Sequence, residues 1–270
     1  MLEKNHDNFD ENFVDIDQID PSKKTFVEGG TATVKETLVK SKDHTFMAKV
    51  YGFVALGLIL AFGLSILYPI ILYVSGLSLE TVYLTLGITS IVSIVALFVF
   101  TFIINFAVIR KGGTSLPFYI IYTALMGLCL SPLIMVYGLS TSVGLLSLGI
   151  TFGVTVGVFA IMAIFAYILK DRVGLFVGPL VALSIATLIL CLVNIFLFNE
   201  VIYWIVSFAI VFISMLFILI DVATIKKASD MGYQSKNEAL FYSLILFSDF
   251  IRLFIYLLPI IFRIVASSRN

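Results

Sequence analysis

VIYWIVSFAIVFISMLFILIDVAT, residues 201–224, is the stretch from which the rest of the chain is read. It holds a single charged side chain, Asp221, and it exceeds the ~20 residues that an α-helix needs to cross the hydrocarbon core of a bilayer. Working outward, six further runs of the same kind lie at residues 50–74, 82–109, 116–139, 143–169, 173–198 and 239–266. Some contain Gly or Pro, which spanning helices tolerate because neighbouring helices supply packing and hydrogen bonds. The expected fold class is an all-α integral membrane protein, a bundle of seven transmembrane helices.

Composition agrees. Sixty per cent of the residues are hydrophobic, 13% are charged and the mean hydropathy is +1.11, against roughly a quarter charged in soluble domains. The lipid bilayer is the first partner implied. The zero net charge hides two regions, since ten of the 17 acidic residues fall in residues 1–45. That segment, with Asp7, Asp10, Glu11, Asp15, Asp17 and Asp20 and few apolar residues to bury, reads as an acidic, disordered cytoplasmic tail. Residues 46–270 form the transmembrane domain. No basic segment followed by a short apolar stretch opens the chain, so no cleaved signal peptide is expected.

Several chemistries are set aside at this point. Both histidines, His6 and His44, lie in the tail, so no histidine cluster for catalysis or metal binding is expected within the membrane. Cys129 and Cys191 sit inside apolar runs, where a thiol behaves as a small hydrophobe. The chain is read as not an enzyme, with no cofactor and no nucleic-acid partner.

Orientation follows from Lys and Arg in short loops. Lys40, Lys42 and Lys49 precede helix 1, Arg110 and Lys111 join helices 2 and 3, Lys170 and Arg172 join 4 and 5, and Lys226, Lys227 and Lys236 join 6 and 7. All lie on one side, so the N-terminus is expected in the cytoplasm and the C-terminus outside. Arg263 and Arg269 then fall on the outer side, against the rule. Small residues mark packing faces: Gly149, Gly153 and Gly157 in helix 4, and Thr123, Gly127 and Ser131 in helix 3.

The informative charges are Asp221 in helix 6 and Asp249 and Arg252 in helix 7. Such groups cost roughly 2.5–3.5 kcal/mol at membrane depth on insertion scales and normally face a cavity or a partner. Residues of an antiparallel hairpin lie level when their numbers sum to twice the turn position. Asp221 and Asp249 centre on 235, within the Met231–Ser235 turn, so their carboxyls are expected to be level. Ser207 and Ser214 share a face with Asp221, and Tyr242, Arg252, Tyr256 and Arg263 share one with Asp249. Two polar stripes can therefore face each other, with Ser207, Ser214, Tyr242 and Tyr256 as path-lining candidates.

Desolvation and mutual repulsion both favour one proton shared between the two carboxyls. That proton is kept at low pH and lost as pH rises, leaving two repelling anions. A nearby arginine favours the ionised form, and Arg252 and Arg110 are both candidate counter-ions. The plainer alternative is that Asp249 and Arg252 form a local ion pair that only fixes packing.

Tyr122 to Ser131 in helix 3, Asn194, the Leu219-Ile220-Asp221 run with Ile225 and Lys226, and Ser248, Asp249, Phe250, Ile251 and Phe254 together resemble the Bax inhibitor-1 family, in particular its bacterial members. The resemblance covers nearly everything after the tail. It implies a seven-helix fold with helix 7 central and a pH-sensitive calcium leak governed by a pair of aspartates in helices 6 and 7, matched here by Asp221 and Asp249. It also implies an arginine latch from helix 2, for which Arg110 is the counterpart. Arg252 departs from the pattern, because many members carry Asn there.

The expected function is a passive calcium or cation leak channel of the cell membrane, gated by protonation of the aspartate pair, with Ca²⁺ as the transported ion. Two carboxylates cannot supply the six to eight oxygens Ca²⁺ prefers, so metal binding at Asp221 and Asp249 is expected only in transit. The alternative is a non-conducting regulator that acts by contact with a membrane protease or stress-response partner. An intramembrane aspartyl protease is disfavoured, since Asp249 follows Leu246, Phe247 and Ser248 where those enzymes carry Gly-x-Gly-Asp.

Overall fold

The computed structural model describes the backbone of residues 21–111, 114–139, 141–231 and 235–268, and within these the side chains of all but 21–44, 104–111, 170 and 171. The chain divides into two units, Met1–His44 and Thr45–Asn270. In the first, residues 21–44 are helical. The second contains seven helices long and apolar enough to cross a membrane, and no strand among the described residues. They are α1 (Thr45–Val74), α2 (Leu79–Lys111), α3 (Leu116–Ile134), α4 (Gly144–Leu169), α5 (Val177–Leu197), α6 (Glu200–Asp230) and α7 (Lys236–Ser267). A π-helical turn, Met135–Leu139, extends α3, and a 3₁₀ stretch, Lys170–Phe176, joins α4 to α5. The seven-helix expectation therefore holds. The helix ends differ from those expected: α6, for one, runs six residues past Thr224, because a helix can continue into the polar headgroup region once its apolar face ends.

Local chemistry sets the helix ends that matter for the site. The α5–α6 turn is two residues long, and Phe198 adopts the left-handed conformation at φ 48°. Asn199 caps α6 by accepting from the amides of Val201 and Ile202 at 2.9 and 3.1 Å. The Asn194 side chain accepts from the Asn199 amide at 3.0 Å, tying the turn back onto α5. At the start of α7, Ser235 Oγ accepts from the Glu238 amide at 3.2 Å and Glu238 Oε2 accepts from the Ser235 amide at 2.8 Å. This reciprocal capping box satisfies donors that a helix start would otherwise leave free. Residues 232–234 of the preceding turn lie outside the described residues.

The helices differ sharply in burial. Of its most apolar window α7 buries 67%, α6 44% and α3 39%, whereas α2, α4 and α5 each bury 11%. Phe247, Ile251 and Phe250 of α7 pack on Ala61 of α1 and Leu130 of α3. Leu246 and Leu253 join Ile218 and Val222 of α6 and Val50 of α1. Because lipid tails solvate apolar side chains as well as a neighbouring helix does, this association rests on close packing and on polar contacts.

Small residues show where backbones meet. Gly127 is one such point: a Cβ there would lie 2.6 Å from Ala61 O, so α1 and α3 approach through it, and Thr123 and Ser131 on the same face are fully buried. Gly149, Gly153 and Gly157 behave differently. All three are exposed, with nothing within 4 Å of an added Cβ. The packing face expected there is instead formed by Gly144, Ser147, Thr151 and Thr155, all buried. The serine and threonine hydroxyls donate to carbonyls four residues earlier in the chain, which satisfies them without a partner helix.

Candidate functional site

The polar residues of α6 and α7 meet within the helix pair. Asp221 reaches α7 from the second half of α6, and Asp249 faces it from the middle of α7. Both line one cavity of about 360 Å³, with Ser248, Arg252 and Phe217, and with Tyr122 of α3 and Thr101 of α2 on the opposite wall. The two carboxyls are close enough to interact directly. Asp249 is 3% exposed, whereas Asp221 is half-buried.

The two oxygens of Asp249 have different surroundings. Oδ1 receives Arg252 Nη1 at 3.4 Å, a long contact between residues one helical turn apart. Oδ2 is buried and has no hydrogen-bond partner among the described residues. A buried carboxylate oxygen left in this way is costly unless a proton or a cation meets it. The Arg252 guanidinium lies over the Phe217 ring, 4.9 Å from its centre, so one face contacts an aromatic surface while one edge reaches Asp249. Tyr122 Oη and Ser248 Oγ are 3.2 Å apart and share a hydrogen bond, which fixes α3 against α7 one residue before Asp249.

The other sequence candidates separate by position. Ser207 and Tyr256 line a second, larger cavity of about 730 Å³ near the opposite ends of α5, α6 and α7. Ser207 also donates to Tyr203 O at 2.8 Å. Ser214 is fully buried and donates to Ile210 O at 2.8 Å. Tyr242 packs edge-on against Phe46 of α1, with ring centres 6.2 Å apart, within the apolar cluster around that residue. Arg110 lies in the last turn of α2, and its side chain is outside the described residues. Among the described residues, no three His, Cys, Asp or Glu side chains gather as metal ligands. A cation at the pair would therefore draw on two carboxylates, neighbouring hydroxyls and water.

Sequence reasoning overlooked three participants. Phe217 is indistinguishable by type from the apolar residues around it. Tyr122 and Ser248 stand in the stretches that carried the family resemblance, and that was the available signal. The remaining surprise is Arg263, which pairs with Glu200 at 3.4 Å and lies over the rings of Tyr203 and Trp204 at 5.5 and 5.1 Å. An arginine at that end of α7 thus has an acidic partner and an aromatic platform.

Comparison with known proteins gives the same assignment. Residues 43–267 match the family described as inhibitor of apoptosis-promoting Bax1. The inner membrane protein YbhL of Escherichia coli K12 is 28% identical over 228 residues, covering 80% of this chain and 91% of its own. An uncharacterized protein of Borreliella burgdorferi is 27% identical over 247 residues, covering 89% and 98%. A seven-helix chain that matches the family across all seven of its spans, and sets an aspartate from each of its last two helices in one cavity, belongs to the Bax inhibitor-1 family.

Proposed function

We propose that this protein is a passive, pH-sensitive leak pathway for cations, Ca²⁺ foremost, in which the Asp221–Asp249 pair both senses protons and meets the ion. The observation that carries this reading is the buried Oδ2 of Asp249, without a hydrogen-bond partner among the described residues, on a carboxyl that lines one cavity together with Asp221. A purely structural ion pair needs neither the cavity nor Asp221.

Among the described residues, the charged and titratable groups facing the pair are Arg252 from α7 and Tyr122 from α3. With one proton shared, the pair and Arg252 sum to zero charge. Without it the cluster carries one net negative charge, in surroundings that screen poorly. Losing the proton therefore makes the site attractive to a cation, and a site of two carboxylates completed by water binds Ca²⁺ weakly enough to release it. Cation flux is expected to rise as pH rises through the transition of the pair. No covalent step is involved. The basic helix ends face the cytoplasm in this reading, and the Glu200 end faces outward.

Purified protein in liposomes loaded with a calcium indicator tests the proposal. Calcium entry that exceeds that of empty liposomes and changes with pH is the expected result. Flux at the empty-liposome level at every pH would sink it, and would favour a regulator acting by contact with another membrane protein.

A further inference from the structure

The two cavities lie along one seam. On α7, Ile245, Ser248 and Arg252 line the first, and Tyr256, Pro259 and Arg263 line the second. Their spacing of three or four residues places all six on one helical face. The same holds on α6, where Phe217 and Asp221 belong to the first cavity and Tyr203, Ser207 and Ile210 to the second. The one position missing from that stripe is Ser214, which is fully buried.

A single layer separates the two spaces. From Arg252 to Tyr256 is one turn of α7, about 5–6 Å along the axis. Within that layer the Arg252 guanidinium covers the Phe217 ring, and Asp249 holds it there. The second cavity is walled mainly by apolar side chains, but Asn194, Asn199, Ser207 and Tyr256 also line it, and so do both members of the Glu200–Arg263 pair. Arginine suits such a partition, because its planar cation stacks on an aromatic ring and bonds to a carboxylate together.

We infer that the cavity at the Glu200 end is a second access site for water and small hydrated cations, continuous with the aspartate cavity except for a partition made by Arg252 stacked on Phe217 above buried Ser214. Arg252 then acts as a tethered cation, occupying the place beside Asp249 that a mobile cation would take. The inference rests on the leak reading for the identity of the permeant species, but its geometry can be tested without any ion flux.

Single cysteines are placed at Ser207, Ser214 or Ser248 in full-length protein carrying Cys129→Ser and Cys191→Ser. Sealed vesicles of each orientation are then treated with a membrane-impermeant trimethylammonium methanethiosulfonate. Ser207→Cys should react from one side only and Ser248→Cys from the other, while Ser214→Cys resists from both. Adding Phe217→Ala to Ser214→Cys should raise its reaction rate about tenfold or more, as expected for removal of a modest barrier. Arg252→Gln should do the same and serves if the Phe217 variant does not fold. Reaction of Ser207→Cys and Ser248→Cys from the same side, no reaction at Ser207→Cys, or an unchanged Ser214→Cys rate in a folded partition variant would each overturn the inference. Correct accessibility without calcium flux would instead sink the leak reading and leave the partition standing.

Discussion

Asp249 has one carboxylate oxygen against Arg252 and the other buried without a hydrogen-bond partner among the described residues, in a cavity that Asp221 also lines. Removing Arg252 leaves the carboxyls to a proton or a mobile cation. Arg252→Gln should therefore increase calcium flux at neutral pH, measured in liposomes against the wild type, and an unchanged or lower flux would show that the guanidinium is no competitor. That Asp221 and Asp249 would come to one place was legible from their numbers, through a hairpin centred on 235, and both line one cavity. What Arg252 does was not, because the choice between counter-ion and packing residue depends on Phe217, whose type gives no hint of its place beneath the guanidinium. Tyr242 shows the opposite limit: heptad spacing put it on the Asp249 stripe, but a ring that finds Phe46 turns toward α1.

At the scale of elements, packing depends on which small residues face a neighbour. Gly127→Ala would place a Cβ 2.6 Å from Ala61 O and force α1 and α3 apart. Such overpacking typically costs about 1–3 kcal/mol. Gly153→Ala meets nothing within 4 Å and should leave stability unchanged or slightly raised, since Ala is the better helix former. Thermal unfolding in detergent, followed by size-exclusion chromatography, checks the pair, and equal effects would contradict the packing described here. Spacing alone could not distinguish these glycines, because a four-residue repeat identifies a face without saying what lies opposite it. Helix ends are a second element-scale test. Ser235→Ala removes one half of the α7 capping box, and a lost cap of this kind costs about 1 kcal/mol. The same unfolding measurement should show a modest loss of stability without loss of fold.

For the whole molecule, the seven spans were legible because lipid demands a long apolar run for each crossing, a stronger signal than any soluble helix gives. Orientation rests on Lys and Arg at helix ends, with Lys226 stacked over Tyr167 at the basic end. Arg263 counted against that orientation as a bare charge, yet its contacts with Glu200, Tyr203 and Trp204 are those of a residue anchored at an interface. A reporter fused to the C-terminus tests this in cells: alkaline phosphatase should be active and green fluorescent protein dark, and the reverse pattern would invert the topology.

The central claim is that the two aspartates together make the pathway respond to protons. Calcium flux into liposomes, recorded from acid to mildly alkaline pH for the wild type, Asp221→Asn and Asp249→Asn, tests it most directly. Flux that rises with pH in the wild type and becomes independent of pH in both variants is the result predicted. A pH profile unchanged in folded Asp221→Asn and Asp249→Asn proteins would contradict it.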